Sequence, residues 1–310
     1  MALSLSYAQN LEDVHIDMAF AGQATGFYID IGGGHPVADN VTVSAYLAGW
    51  SGVVVEPQER LARLYPRLRP RDTILSCLVG RARGEATFHE VERLHGFSTM
   101  IESHAQGASA FGADYTSRAL PVTTLAAICE AHAPPRIDVV KIDVEGAEAD
   151  VLAAGDWQRF RPRLVVIEAI APGTGLPAWE DWEPFLLQRG YVMALFDGLN
   201  RFYAAQEAPE VAQRLSAAPA AWDSVRHMYE FDRAGSSPIH PDHALARQLA
   251  RGLWASLPLL DPDLLQALLQ AGRQDGIAEA TLASDDASTI ALGRIAMGYD
   301  GGQLFDEPDA

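Results

Sequence analysis

The sequence predicts an α/β protein built on a doubly wound, mostly parallel seven-stranded sheet, with an antiparallel hairpin at its edge and a helical C-terminal appendage. Three observations carry that expectation. Short apolar runs alternate with segments of helical period from about residue 26 to residue 205. The run IDVVKI at 137–142 is apolar on both faces, as a central parallel strand requires. The series then closes on two runs, 191–196 and 202–205, joined by DGLN, whose Asp197-Gly198 suits a tight antiparallel turn.

Taken in order, residues 6–21 (SYAQNLEDVHIDMAFA) read as a lead helix. Asn10 stands as its cap, Glu12 and Asp13 lie in the first turn, and Leu11, Val14 and Met18 follow at helical spacing. After Thr25-Gly26 the first strand, YIDI at 28–31, runs into Gly32-Gly33-Gly34-His35-Pro36. A helix is expected within 36–49, a second strand at 52–55 closed by Glu56-Pro57, an arginine-rich helix at 58–68 and a third strand at 73–77. Gly80 and Gly84 turn the chain into an alternating run at 86–91, an extra strand or hairpin arm. Between 92 and 118 periodicity is lost, the pattern of a lid or a poorly ordered loop. A helix at 125–132 stops at Pro134-Pro135; beyond the 137–142 strand come a helix at 146–154, a strand at 164–167 ending in Glu168, and a helix at 179–188. Past residue 235 the texture changes. Ser236-Ser237-Pro238 reads as a linker, helical segments follow near 242–256 and 261–271, and the last residues are acidic and read as disordered. The expected organisation is therefore a domain at 1–234, with a lead helix at 6–21 and a core at 26–232, and an appendage at 235–310.

Composition narrows the partners. A formal net charge of -18 repels a nucleic-acid backbone, so no nucleic-acid partner is expected. Cys77 and Cys129 lie far apart without metal-ligand spacing and read as packed free thiols of a reducing compartment. No secretory pattern opens the chain, and no run approaches the roughly 18 apolar residues that span a bilayer. A soluble, cytoplasmic protein is expected, with homo-oligomerisation left open. Lys141 is the single lysine, in a chain that otherwise uses arginine, which suits a place where a compact ammonium fits and a planar fork does not.

Helices on both sheet faces direct ligands to the carboxyl ends of the strands, near the point where strand order reverses. Gly32 and Gly34 would let a ligand approach the backbone there. A dinucleotide site would want a third glycine where Val37 stands. Asp30, just before the glycines, would sit close to a pyrophosphate, so a cationic ligand suits the place better. S-adenosylmethionine, with an ammonium, a sulfonium and no phosphate, is such a ligand. Glu56 ends the second strand, where an acid accepts from ribose hydroxyls.

The stretches YIDIGGGHP and VVVEP, followed by KIDVEGAE, RPRLVVIEA and DGLNRFY, resemble the FkbM family of S-adenosylmethionine-dependent methyltransferases. The opening SYAQNLED is similar to that family's N-terminal motif. The resemblance runs from about residue 4 to 231, is most specific at 141–148, and does not cover 235–310. Where many relatives have alanine and then asparagine or histidine after the first glycine, this chain has Gly33-Gly34-His35. The resemblance implies a class I methyltransferase (Rossmann-like) fold and methyl transfer to oxygen on sugars or on polyketide and glycan products; some relatives act on nitrogen in modified peptides. It implies that Asp30, Gly32 and Gly34 hold the methionine part, Glu56 the ribose, and Cys77 and Leu78 the adenine. Gln9, Glu12 and Asp13 would fold over the cofactor with the N-terminal motif, or else form a polar helix face. The acceptor would be a small molecule, a glycan or a peptide, and S-adenosylhomocysteine the product; a catalytically idle nucleotide-binding scaffold is the reading of another class.

Read from the residues themselves, Lys141, Asp143 and Glu145 alternate along the end of the central strand and project to one side. A lysine among carboxylates is an ion-paired cluster that holds a reactive carboxylate in place or shifts its pKa. An alcohol acceptor loses a proton during attack. Asp143 is the first candidate for that base, followed by Glu145 and Glu168, with His35 last. Each has a structural reading beside it. Asp143 binds the methionine ammonium or caps the next helix, Glu145 is a first-turn helix acid, and His35 is a turn residue. The three carboxylates also suit a divalent cation, but two firm ligands do not specify one, and a site without metal is expected. Asp197 and Asn200 read as turn residues, Arg201 as a partner for a site carboxylate, and His95, Ser98 and His104 as loop residues within reach of an acceptor.

Overall fold

The computed structural model describes residues 4–91, 97–107, 113–171, 175–216, 225–230, 234–271 and 290. Along the chain the strands are β1 (Ser4–Ser6), β2 (Phe27–Ile31), β3 (Ser51–Val55), β4 (Thr73–Leu75), β5 (Leu78–Val79), β6 (Gly84–Val91), β7 (Tyr115–Thr123), β8 (Val139–Ile142), β9 (Leu164–Glu168), β10 (Tyr191–Phe196), β11 (Asn200–Ala205) and β12 (Val225–His227). Seven of them form one sheet in the order β10-β11-β9-β8-β2-β3-β4. Its central strands alternate between two cores: Ile29, Ile31, Val140, Ile142, Val165 and Ile167 face one side, and Tyr28, Val54, Val139, Leu164 and Val166 the other. Burial on both faces is what makes these strands read as nearly continuous apolar runs, with Asp30 in β2 and Lys141 in β8 as the charged exceptions. Only β11 runs against its neighbours, and it is second from the edge rather than outermost. The chain leaves β2 outward to β3 and β4 and returns to β8 on the other side, so strand order reverses between β2 and β8.

Several helices are shorter than their sequence periods imply. The lead helix spans Glu12–Ala19 rather than 6–21, and β1 precedes it. The Asp13 carboxylate accepts from Ser6 Oγ (2.6 Å) and from the Tyr7 amide (2.8 Å), which folds that segment back, and Leu11 sits at φ 66°, off the helical path. Asn10 is accordingly not the cap. The helix expected within 36–49 is reduced to Val43–Leu47, because Asn40 and Thr42 are drawn into side-chain hydrogen bonds of the loop. Residues 58–68 give two turns, Glu59–Ala62 and Tyr65–Leu68, the second with Pro66 in its first turn. The helix expected at 146–154 spans Glu148–Ala153, and 179–188 splits into the turn Trp179–Asp181 and the helix Glu183–Leu187.

The third expected strand stops at Leu75. The chain then changes sheets, and β5 joins β7 and β6 in a separate three-stranded arm. The supposed loop at 92–118 therefore contains the helix Glu102–Gly107 and the start of β7; His95 lies outside the described residues.

Contacts divide the chain into two units, Met1–Met228 and Tyr229–Ala310, ahead of the expected 234/235 boundary. The second unit contains the helices His243–Ser256 and Pro262–Ala271, with Leu245, Leu249, Leu253, Leu264 and Leu268 exposed. The acidic end, where disorder is expected, lies outside the described residues except for Ile290. No helix among the described residues is long and apolar enough to cross a membrane.

Candidate active site

The reversal of strand order sets Asp30 of β2 directly beside Lys141 of β8. Asp30 is wholly buried. Its Oδ2 accepts from Thr42 Oγ1 (2.7 Å), and its Oδ1 lies 3.5 Å from Lys141 Nζ. The Gly32 and Gly33 amides both donate to Val55 O at 3.0 and 3.1 Å, which ties the start of the loop to the end of β3. Asp30, expected beside a cationic ligand, thus has no exposed surface and is held by Thr42 and Lys141.

Lys141 fills the junction. Its ammonium donates to Gly32 O (2.6 Å) and pairs with Asp30 and with Asp143 Oδ2 (3.3 Å). Three donors thus meet three acceptors. Burial by itself would lower the pKa of this ammonium, but Asp143 and Asp30 outweigh it and hold Lys141 above the ordinary lysine range.

β8 ends at Ile142, so Asp143 and Glu145 do not alternate on a strand. They are brought together by a turn in which Glu145 (φ 56°) and Gly146 (φ 104°) are both left-handed. Two groups of the arm hold that turn: Thr99 Oγ1 donates to Glu145 O (2.8 Å), and His104 Nδ1 lies 3.0 Å from the same carbonyl, which can only accept. Glu148 Oε1 takes the amides of Val144 and Gly146 from the other side. The first-turn acids of the helix Glu148–Ala153 are Glu148 and Asp150, and no side chain caps it, so Glu145 is not a first-turn acid and Asp143 not a cap.

The result is a cluster in which one carboxylate oxygen from each of Asp143, Glu145 and Glu168 lies within 4.8 Å of the others. Three like charges cannot all persist so close together. Burial first, and then the Asp143 charge, pushes Glu145 up to about 9 and Glu168 up to about 11. In the unfolded chain both ionise near pH 4–5, so between there and about pH 9 the folded protein binds more protons than the unfolded one, and stability falls as pH rises. Glu168→Gln removes one such group without changing shape. Urea unfolding at pH 8 is expected to show the variant more stable by about 1–2 kcal/mol, with little gain at pH 5; an undiminished pH dependence would mean that Glu168 is not a source of it.

Glu56, at the end of β3, is buried. Its Oε2 accepts from Gly34 N (2.7 Å), its Oε1 from Gln58 N (2.7 Å), and burial raises it to about 7. Its own amide donates to Leu75 O, which brings it beside the segment holding half-buried Cys77 and buried Leu78. At Gly34, with φ 58°, nothing lies within 4 Å of where a Cβ would stand. His35 Nδ1 accepts from the amides of Val37 and Ala38, the behaviour of a turn residue, so that nitrogen is occupied.

The N-terminal motif acts on the hairpin. Asn10 Nδ2 donates to Asp197 O (3.0 Å), and Asn200 Nδ2 to Glu12 Oε1 (2.6 Å); Asn200 is itself the cross-strand neighbour of Glu168. Gln9 is exposed, and the oxygens of Asp13 are taken by Ser6, Tyr7 and Val14. Asp197 makes the turn as expected, while Arg201 pairs with Glu183 and stacks on Trp179 instead of reaching the carboxylate cluster. Ser98 is buried and accepts from Val91 N. Asn40, Thr42, Arg69 and Thr99 carry no signal in the sequence, while Glu12 stands in the N-terminal motif and is found on Asn200.

The family model described as Methyltransferase FkbM domain matches residues 30–193, a span that opens on Asp30 and takes in Glu56 and the carboxylate cluster. Comparison with curated proteins gives no match.

Proposed function

The chain belongs to the FkbM methyltransferase family, and from that premise we propose that it methylates a hydroxyl group of a sugar or other natural-product scaffold. Membership implies S-adenosylmethionine as the methyl donor, and the residues present fit it. Open space beside the Gly34 backbone adjoins the Glu56 carboxylate, and the Asp143 carboxylate, about a third exposed (35%), offers a counter-charge to a cation. In this reading Gly32–Gly34 carry the methionine part and Glu56, each of whose oxygens keeps a second lone pair, accepts from the ribose. Cys77 and Leu78 line the adenine side. When bound, the donor supplies an electrophilic methyl group on a positively charged sulfur.

The observation that carries oxygen rather than another acceptor atom is the cluster itself. Asp143 is held 3.3 Å from Lys141 while Glu145 and Glu168 stay protonated at neutral pH. One carboxylate is thereby left to take the proton of a hydroxyl, with two neutral carboxyls beside it to donate hydrogen bonds. Lys141 fixes its orientation, and the alignment of acceptor against donor supplies much of the remaining rate. Lys141 also sets a positive charge against Asp143, so this reading needs no metal. Both cysteines are free, which suits reaction in the cytoplasm.

The test is incubation of the protein with methyl-labelled donor and a panel of sugars, glycans, polyketide alcohols and peptides, with and without EDTA, followed by mass spectrometry. Label on oxygen, insensitive to EDTA, is expected. Label on a peptide nitrogen would transfer the assignment to N-methylation, and loss of turnover in EDTA would make the carboxylate cluster a metal site.

A further inference from the structure

We propose that Arg69, which lies behind the glycine loop, is a positioning residue for methyl-donor binding: through Thr42 and Asn40 it fixes the Asp30 carboxylate and the backbone of Gly33–His35. The donor's place on the loop is taken from the function proposed above; the ordering of the loop by Arg69 is independent of it.

Arg69 follows the helix Tyr65–Leu68 and its side chain is 1% exposed, the largest fully buried side chain among the described residues. A guanidinium has five N–H donors and no acceptor, and all five are used. Nε donates to Asp72 Oδ2 (2.7 Å), Nη1 to Asn40 Oδ1 (2.8 Å) and Pro36 O (3.3 Å), and Nη2 to Tyr28 OH (2.9 Å) and Thr42 Oγ1 (2.9 Å). The rings of Tyr28, Tyr46 and Tyr65 surround its carbon at 5.2–5.6 Å.

Two of those bonds continue into the site. Thr42 Oγ1, having accepted from Arg69, donates its only proton to Asp30 Oδ2. Asn40, its carbonyl oxygen held by Arg69 and the Thr42 amide, turns its two amide hydrogens to Gly33 O (2.9 Å) and His35 O (3.1 Å). Tyr65, whose backbone carbonyl accepts from the Arg69 amide, donates its hydroxyl to Gly33 O as well (2.9 Å). Asp30 is thus gripped from both sides, by Lys141 on Oδ1 and by the Arg69–Thr42 relay on Oδ2. The loop that follows it has three carbonyls tied to Arg69 or to Asn40, those of Gly33, His35 and Pro36, so the surface a donor meets is set from behind. Lysine has three donors and no planar fork and cannot reproduce this, although the charge would be kept.

Thr42→Val keeps the shape and cuts the relay at a single hydroxyl, and Thr42→Ser restores that hydroxyl. In Thr42→Val the expected results are a folded protein, S-adenosylhomocysteine binding weaker by about tenfold in calorimetry, and faster amide exchange at residues 33–35. Thr42→Ser should return affinity and exchange to wild-type values. Arg69→Lys should show the same pattern more strongly, or fail to fold, in which case the threonine pair decides. Unchanged exchange at 33–35 in Thr42→Val overturns the inference whatever the wild type binds. Unchanged affinity beside a wild type that binds overturns the link to the donor. A wild type that does not bind S-adenosylhomocysteine overturns the donor's place on the loop, while faster exchange in Thr42→Val would still uphold the positioning of that loop.

Discussion

Asp143→Asn is expected to slow methyl transfer by about 10²–10⁴-fold while leaving S-adenosylhomocysteine affinity within a few-fold of wild type. The amide keeps the shape of the side chain and can still accept from Lys141 Nζ, which lies 3.3 Å from the native carboxylate, so the turn around it has no reason to open. What it cannot do is take a proton. Glu145 and Glu168 do not replace it at neutral pH, because burial and the Asp143 charge hold them protonated up to about 9 and 11. Removing Asp143 takes away the second of those causes, so both glutamates should ionise at lower pH than before. The variant's residual kcat should then climb on the alkaline side, and a pH–rate profile shows it. Wild-type turnover at pH 7 would remove Asp143 from the chemistry. A large loss of S-adenosylhomocysteine affinity with an intact single-turnover rate would make it the binder of the methionine ammonium.

The central strands were legible because two buried faces leave short runs that are apolar on both sides, broken only by Asp30 in β2 and Lys141 in β8: β2, β3, β8 and β9 lie within a residue or two of their expected positions. Lys141 stood out as the lone lysine, and the structure places it where three acceptors converge. The hidden features are those fixed by partners far along the chain. Arg69 bonds across 27–41 positions to Thr42, Asn40, Pro36 and Tyr28, and no period of 2 or 3.6 encodes such contacts. The lead helix was overestimated for the same kind of reason, since Asp13 looks like a first-turn acid until its carboxylate is seen to hold Ser6 and Tyr7. The acidic cluster was anticipated in its members but not in its cause. A strand would have spaced Asp143 and Glu145 two residues apart on one face, whereas the left-handed Glu145-Gly146 turn, clasped by Thr99 and His104, brings them to Glu168.

The glycines of the loop, which look equivalent in sequence, should respond very differently to alanine. At Gly32 a Cβ would stand 1.7 Å from the carbonyl oxygen of Asp143, and φ is 80°. Neither side of that contact is a flexible side chain. The loop is tied to Val55 O through the Gly32 and Gly33 amides, and the Asp143 amide is tied to Ile31 O, so relief requires the end of β2 to part from the end of β8. Overpacking of backbone together with a left-handed alanine costs about 3–5 kcal/mol, and S-adenosylhomocysteine binding should be lost with the junction. At Gly34 a Cβ meets nothing, so alanine there costs only the left-handed backbone, about 1 kcal/mol. Its methyl group would instead occupy the open space assigned to the donor, and affinity for S-adenosylhomocysteine should fall by about tenfold or more in a protein that remains folded. Thermal unfolding and calorimetry on the two variants separate the roles. A Gly32→Ala protein as stable as wild type would refute the close packing of β2 on β8. A Gly34→Ala protein with unaltered affinity would move the donor off this loop and leave Glu56 without a reason to face it.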